Sequence, residues 1–273
     1  LLMLSCFTAG VPIVPVSPAY SLQSRDFKKL RQVLEIAQPA LVYVADARAF
    51  GGALAALDPE VEVVAGDAFS ELLSTLPGPE LEDAFAAVGP DTVAKVLFTS
   101  GSTGGPKGVL TTHRMMCSNQ QAMAQVWPLL RRTPPILLDW LPWSHTFGGN
   151  HNFNMVLKNG GSLYIDAGRP APGLLDETLR NLREVSPTVY FNVPAGFAAL
   201  LPALETDREL AARFFAQLQV LFYAGASLSP DLWERLRRLA EEFAAGDVAM
   251  TTSWGATETA PAVTSAHFPL QRP

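Results

Sequence analysis

Apolar residues recur at helical spacing at Phe27, Leu30, Val33, Leu34 and Ala37, behind Ser24 as a candidate N-cap with Asp26 in the first turn. Pro39 closes that helix, and Leu41 to Ala45 predicts a buried strand. Asp46 to Pro90 is rich in Ala, Gly and Pro with weak periodicity, which predicts a surface excursion carrying short helices. Val93 to Phe98 predicts a strand running straight into a Gly-rich loop, followed by a short strand near Val109 to Thr111 and a helix from about His113 to Trp127. Further short apolar runs at Ile136–Leu141, Ser162–Ile165, Thr188–Asn192, Val220–Tyr223 and Val248–Thr252 predict buried strands. Helical stretches such as Leu174–Val185 and Pro230–Phe243 separate most of them. This alternation predicts an α/β fold of largely parallel sheets flanked by helices. In such sheets ligands collect beyond the carboxyl ends of the strands, so the residues just after each strand matter most.

Composition narrows the picture little further. At 273 residues and 48% apolar, the chain can bury one large core or two smaller ones. Its net charge of -6 supplies no basic field for nucleic acid, so an anionic ligand must be held by local geometry. Cys6 and Cys117 lie in unlike contexts with no CxxC pair, which argues against a disulfide framework or zinc site and for a reducing, cytoplasmic setting. No run approaches the roughly 18 unbroken apolar residues of a spanning helix, so no membrane partner is expected. Leu1 to Val16 is apolar, but Pro12 and Pro15 interrupt it and no basic leading region precedes it, so it reads as the middle of a fold. Phe268 to Pro273 has no closing element, and the expectation is a piece of a longer protein. Oligomeric state is not legible.

The main chemical signal is Thr99-Ser100-Gly101-Ser102-Thr103-Gly104-Gly105-Pro106-Lys107-Gly108, with four hydroxyls, four glycines and one lysine. Glycines let backbone N–H groups approach a ligand, hydroxyls donate to phosphate oxygens, and the lysine adds a point charge. Together these suit a polyphosphate. A Walker A loop fails, because Pro106 stands at the second glycine position and Gly108 follows Lys107. Ser-x-x-Lys fails too, because Gly104 occupies its serine position.

The segment resembles the phosphate-binding signature of the adenylate-forming superfamily, which includes acyl-CoA synthetases, luciferases and peptide-synthetase adenylation domains. Three further stretches match that family in order. Pro142-Trp143-Ser144-His145-Thr146-Phe147-Gly148 is similar to Pro-x-x-His-x-x-Gly, which implies that His145 lies beside the acyl substrate. Nearby His151 has no such match and is expected either as packing or as a support behind the site residues; six residues from His145, it offers no helix-face metal spacing. Tyr223-Ala224-Gly225-Ala226-Ser227 resembles the turn that lies against adenine, with Ser229 a cap and Pro230 at the first helical position. Ser227 stands where relatives often carry Pro or Glu.

Thr252-Ser253-Trp254-Gly255-Ala256-Thr257-Glu258-Thr259 resembles the aromatic-Gly-x-Thr-Glu motif, with Trp where most relatives have Tyr. The resemblance implies Trp254 and Gly255 at the adenine, Thr257 at the α-phosphate and Glu258 on magnesium, a hard cation suited to a carboxylate and phosphate oxygens. It gives Thr99 to Gly104 and Lys107 to the β- and γ-phosphates.

Within the superfamily, Val14–Tyr20, Asp139–Trp143, Gly148–Met155, Gly168–Gly173 and Tyr190–Pro194 look like feruloyl-CoA synthases. That implies ATP-dependent activation of an aryl or hydroxycinnamic acid and transfer to coenzyme A, with Phe147, Phe191, Phe222 and Trp254 near the motifs. Another acyl-CoA ligase of the superfamily, including one for fatty acids, is an alternative. So are a non-catalytic nucleotide-binding module and an acid kinase. The resemblance also implies that residues 1–273 are part of the large AMP-binding domain. Its start and the C-terminal lid, with a ribose-binding aspartate and a catalytic lysine, would then lie outside this chain.

Overall fold

The computed structural model describes residues 1–100, 105–265 and 273. They form two compact units, Leu1–Met115 and Met116–Pro273, and the helix His113–Val126 carries the chain from one to the next.

In the first unit, β1 (Leu41–Val44) pairs in parallel with β2 (Glu62–Ala65), and β3 (Val93–Ser100) pairs antiparallel with β4 (Pro106–Thr112). Helix Lys28–Ala37 buries Leu30 and Val33, as its spacing predicts. It starts later than expected: Phe27, at φ 50°, precedes it, and the Ser24 hydroxyl accepts the Phe27 N–H instead of one inside the helix. The β1 strand is not the buried strand its sequence predicts, because Leu41 and Tyr43 alternate outward and are each 40% exposed. β2 lies inside the stretch predicted as a surface excursion, and helices Gly51–Leu54, Asp67–Ser74 and Pro79–Ala87 accompany it.

The second unit holds β5 (Ile136–Asp139) paired in parallel with β6 (Ser162–Ile165). β6 is not the buried strand its sequence predicts, because among the described residues it pairs on one side only and leaves Tyr164 and Ile165 exposed. It also holds a four-stranded sheet in the order β10-β9-β8-β7. Its members are β7 (Val189–Asn192), β8 (Val220–Tyr223), β9 (Ala249–Gly255) and β10 (Ala262–Ser265). β7, β8 and β9 run parallel, and β10 returns antiparallel to β9.

Every residue of β7 and β8 is buried, and strand alternation sorts them onto two faces. Tyr190, Leu221, Tyr223 and Met250 face a core built with Leu182, Phe197, Leu200, Phe214, Leu232, Trp233 and Leu236 of four helices. Those helices are Leu175–Glu184, Pro194–Thr206, Arg208–Phe215 and Pro230–Phe243. Val189, Phe191, Val220 and Phe222 face a second core with Trp127, Leu137, Phe147 and Met155. Each fully buried Leu or Phe contributes about 1.5–3 kcal/mol, so this double-sided burial sets the position of the strand ends. The predicted α/β class is therefore what forms, with antiparallel pairs at the two hairpins that carry the Gly-rich and Trp254 motifs.

Candidate active site

The described part of the Gly-rich motif lies at the end of β3 and the start of β4. These strands are longer than predicted, pairing Phe98 with Gly108, Thr99 with Lys107 and Ser100 with Pro106. Residues directly opposite in an antiparallel pair project to the same face, so the Thr99 hydroxyl and the exposed Lys107 ammonium share one. Gly108 leaves this pairing close, since a Cβ there would lie 3.0 Å from Val96 Cγ1 and 3.4 Å from the Phe98 ring, and both side chains would have to shift slightly. Gly101, Ser102, Thr103 and Gly104 lie outside the described residues, as does the Ser100 side chain.

The second unit carries the remaining motifs: two follow the carboxyl ends of β8 and β9, and the His145 motif follows β5. Asn192, Tyr223 and Thr252 are aligned neighbours across the three strands, and the Thr252 hydroxyl donates to the Tyr223 carbonyl at 2.6 Å. Past β8, Gly225 adopts φ 86°, a left-handed turn that favours glycine, and Gly225, Ala226 and Ser227 are exposed. The next helix starts as predicted, with Ser229 accepting the Leu232 N–H at 3.2 Å and Pro230 in its first turn.

β9 continues beyond β8 and turns back through Thr257–Thr259 into β10, pairing Trp254 with Thr264 and Gly255 with Ala262. A Cβ on Gly255 would lie 2.0 Å from the Pro261 carbonyl oxygen, so glycine alone permits this close hairpin. Trp254 is 66% exposed, leaving its indole face open, and Glu258 is exposed beside half-buried Thr257. Among the described residues no group of three His, Cys, Asp or Glu side chains could enclose a metal. A single open carboxylate suits magnesium shared with ligand phosphates, because that ion keeps most of its coordination shell for water and phosphate.

His145 precedes a π-helical segment, Phe147–Asn152, all of it buried. Segments of this kind are frequent at functional sites. The Phe147 N–H donates to His145 Nδ1 at 3.2 Å. Although the ring reaches solvent, neighbouring atoms strip water from it and hold its pKa below the usual imidazole value. His145 is therefore neutral near pH 7, with Nδ1 the acceptor and Nε2 carrying the proton. Gly148 and Gly149 let the segment lie on the preceding loop: a Cβ on Gly149 would meet the Trp143 carbonyl oxygen at 2.3 Å. The Phe147 ring packs edge-on against Phe191 of β7 and Phe222 of β8, which seats this segment on the strands that carry the other motifs.

His151 is core, as expected, and its surroundings fix its tautomer. Asp139 Oδ2 accepts from Asn152 Nδ2 at 2.9 Å, so the Asn152 oxygen is left for His151 Nδ1–H at 2.8 Å. Nε2 then carries a bare lone pair, buried among Trp127, Phe147, Phe191 and Phe222. Burial pushes His151 down to about 4 and Asp139 up to about 6. Phe147, Phe191 and Phe222 are all at most 7% exposed, so of the four aromatics near the motifs only Trp254 presents a free face.

The motif reading misses Asn119 and Gln120, which contact the Thr257–Thr259 turn and the π-helical segment. Their sequence signal is weak: two amides on the apolar stripe of helix His113–Val126.

The model of the AMP-binding enzyme family matches residues 1–273. A long-chain-fatty-acid–CoA ligase of Xenopus laevis is 30% identical over 128 residues, covering 46% of this chain and 17% of that protein. A long-chain-fatty-acid–CoA ligase of Escherichia coli is 28% identical over 176 residues, covering 64% of this chain and 29% of that protein. Among solved structures, a malonyl-CoA ligase with methylmalonyl-CoA and AMP bound superposes with TM-score 0.73 at 25% identity, covering 96% of this chain and 50% of that one. The chain thus spans at most half the length of these relatives.

Proposed function

The chain belongs to the AMP-binding enzyme family, and from that premise we propose that it is the nucleotide-binding part of an acid–thiol ligase. The observation that carries the proposal is the meeting, at one sheet edge, of the Gly225 turn with the Trp254-to-Glu258 hairpin. There the open indole and the glycine turn would seat adenine, while Thr257 would donate to the α-phosphate. Thr99 to Gly104 and Lys107 would hold the β- and γ-phosphates.

A carboxylate oxygen of the substrate attacks the α-phosphorus of ATP, and the bond to pyrophosphate breaks, giving an acyl-adenylate. The sulfur of coenzyme A, its thiol proton lost, then attacks the acyl carbon and AMP leaves. The carboxylate is already a nucleophile, so the first step needs no general base and rests on alignment and charge neutralisation. Magnesium held by Glu258 would offset phosphate charge. Neutral His145, with Nε2–H as donor, would orient the carboxylate. The 273 residues would supply part of the large domain, with the lid elsewhere in a longer, cytoplasmic parent enzyme.

For substrate we favour an aryl or hydroxycinnamic acid, supported by the feruloyl-CoA-synthase-like runs such as Gly148–Met155. A fatty acid is the second reading, favoured by the names of the two curated relatives. Thioester formation on a panel of acids, with the enzyme that carries this chain, separates them. Turnover of ferulate above palmitate is expected. The reverse order would transfer the assignment to fatty acids, and nucleotide binding without any thioester would favour a non-catalytic module.

A further inference from the structure

Helix His113–Val126 buries Met116, Asn119, Gln120, Met123 and Ala124, and Trp127 follows in register. That i, i+3, i+4, i+7 pattern is a core-facing stripe, and its centre is two amides where the pattern calls for apolar side chains. Asn119 Nδ2 donates to the carbonyls of Thr259 at 3.2 Å and Ala262 at 2.8 Å. Gln120 Nε2 donates to the carbonyls of Asn150 at 3.2 Å and His151 at 3.4 Å. Carbonyl oxygens only accept, so both amide orientations are fixed by their partners. The amide oxygens of both residues are buried with no hydrogen-bond partner among the described residues. Such an arrangement costs stability relative to an apolar pair, which points to a role the donors perform.

The two segments held are the turn bearing Thr257 and Glu258 and the π-helical segment that follows His145. Adjacent helical residues point about 100° apart, so one helix can brace two different neighbours. We propose that Asn119 and Gln120 are paired positioning residues: Asn119 sets the phosphate-side turn, Gln120 sets the acyl-side segment, and the helix keeps the two in register. This rests on the adenylation reading above.

The test uses the enzyme that carries this chain, with Asn119→Leu and Gln120→Leu, which remove the amide donors. Asn119→Leu removes both donated hydrogen bonds and should raise the KM for ATP about tenfold or more, and leave the KM for the acid within about twofold. Gln120→Leu should do the reverse. Hydrogen exchange should accelerate at 257–262 in the first variant and at 147–152 in the second. Asn119→Ser, which keeps one donor, should fall between wild type and Asn119→Leu in both readouts and covers the case of a variant that does not fold. Variants that shift both constants and both segments together, or neither, overturn the proposal. If the wild type forms no adenylate, the adenylation reading fails, while segment-selective exchange still decides whether the braces exist.

Discussion

Asp139 and His151 are joined through Asn152 and should contribute to stability with opposite dependence on pH. Asp139 is 5% exposed and pushed up to about 6, against an ordinary aspartate near 3.8. Between these values the folded chain holds a proton that the unfolded chain has released. This contribution is fully present below about 3.8 and is lost as pH rises through about 6. At about 1.4 kcal/mol per unit it amounts to about 3 kcal/mol. His151, 2% exposed, is pushed down to about 4 from an imidazole value near 6.5. Here the unfolded chain takes up the proton first, so stability is present above about 6.5 and falls by about 3 kcal/mol as pH drops to about 4.

The two slopes nearly cancel between about pH 4 and 6. Asp139→Asn removes the first and exposes the second, so relative to the parent the variant should gain about 3 kcal/mol on going from about pH 4 to 6. Urea unfolding followed by tryptophan fluorescence reads this well. Trp127, Trp140, Trp143, Trp233 and Trp254 all lie in the Met116–Pro273 unit. Taking the difference between variant and parent removes every other titrating group. Parallel profiles for the two proteins would refute the assignment of a raised pKa to Asp139.

Two other outcomes follow from the site. Gly149→Ala forces a Cβ to 2.3 Å from the Trp143 carbonyl oxygen and should cost about 1–3 kcal/mol or more, read as a lowered urea midpoint. Lys107→Ala changes an exposed strand residue and should leave the unfolding free energy within about 0.5 kcal/mol, yet weaken ATP binding in calorimetry; unchanged affinity would remove the lysine from the phosphate site.

Much of the second unit was legible because its central strands β7 and β8 are buried on both faces. Val220–Tyr223 matches its predicted bounds and burial, whereas Ser162–Ile165 matches only in its bounds, and Pro230–Phe243 is announced by its Ser229 cap. The first unit was harder. β2 has only Val63 and Val64 as its apolar signal, and the β1–β2 pair leaves Leu41, Tyr43 and Val63 partly open, so burial does not impose a pattern. The Gly-rich motif was found by residue type, but its hairpin was not, because Thr99, Lys107 and Gly108 read as loop chemistry until paired across strands. Asn119 and Gln120 escaped because their partners are carbonyls about 30 to 140 residues away, which no local spacing encodes. The aromatics Phe147, Phe191 and Phe222 were grouped correctly near the motifs, but they enclose His151 and are core.

The most direct measurement is exchange of labelled pyrophosphate into ATP by the enzyme that carries this chain, with ferulate and magnesium present. Acid-dependent labelling of ATP is the predicted result. Formation of ADP with no exchange would contradict adenylation and point to an acid kinase instead.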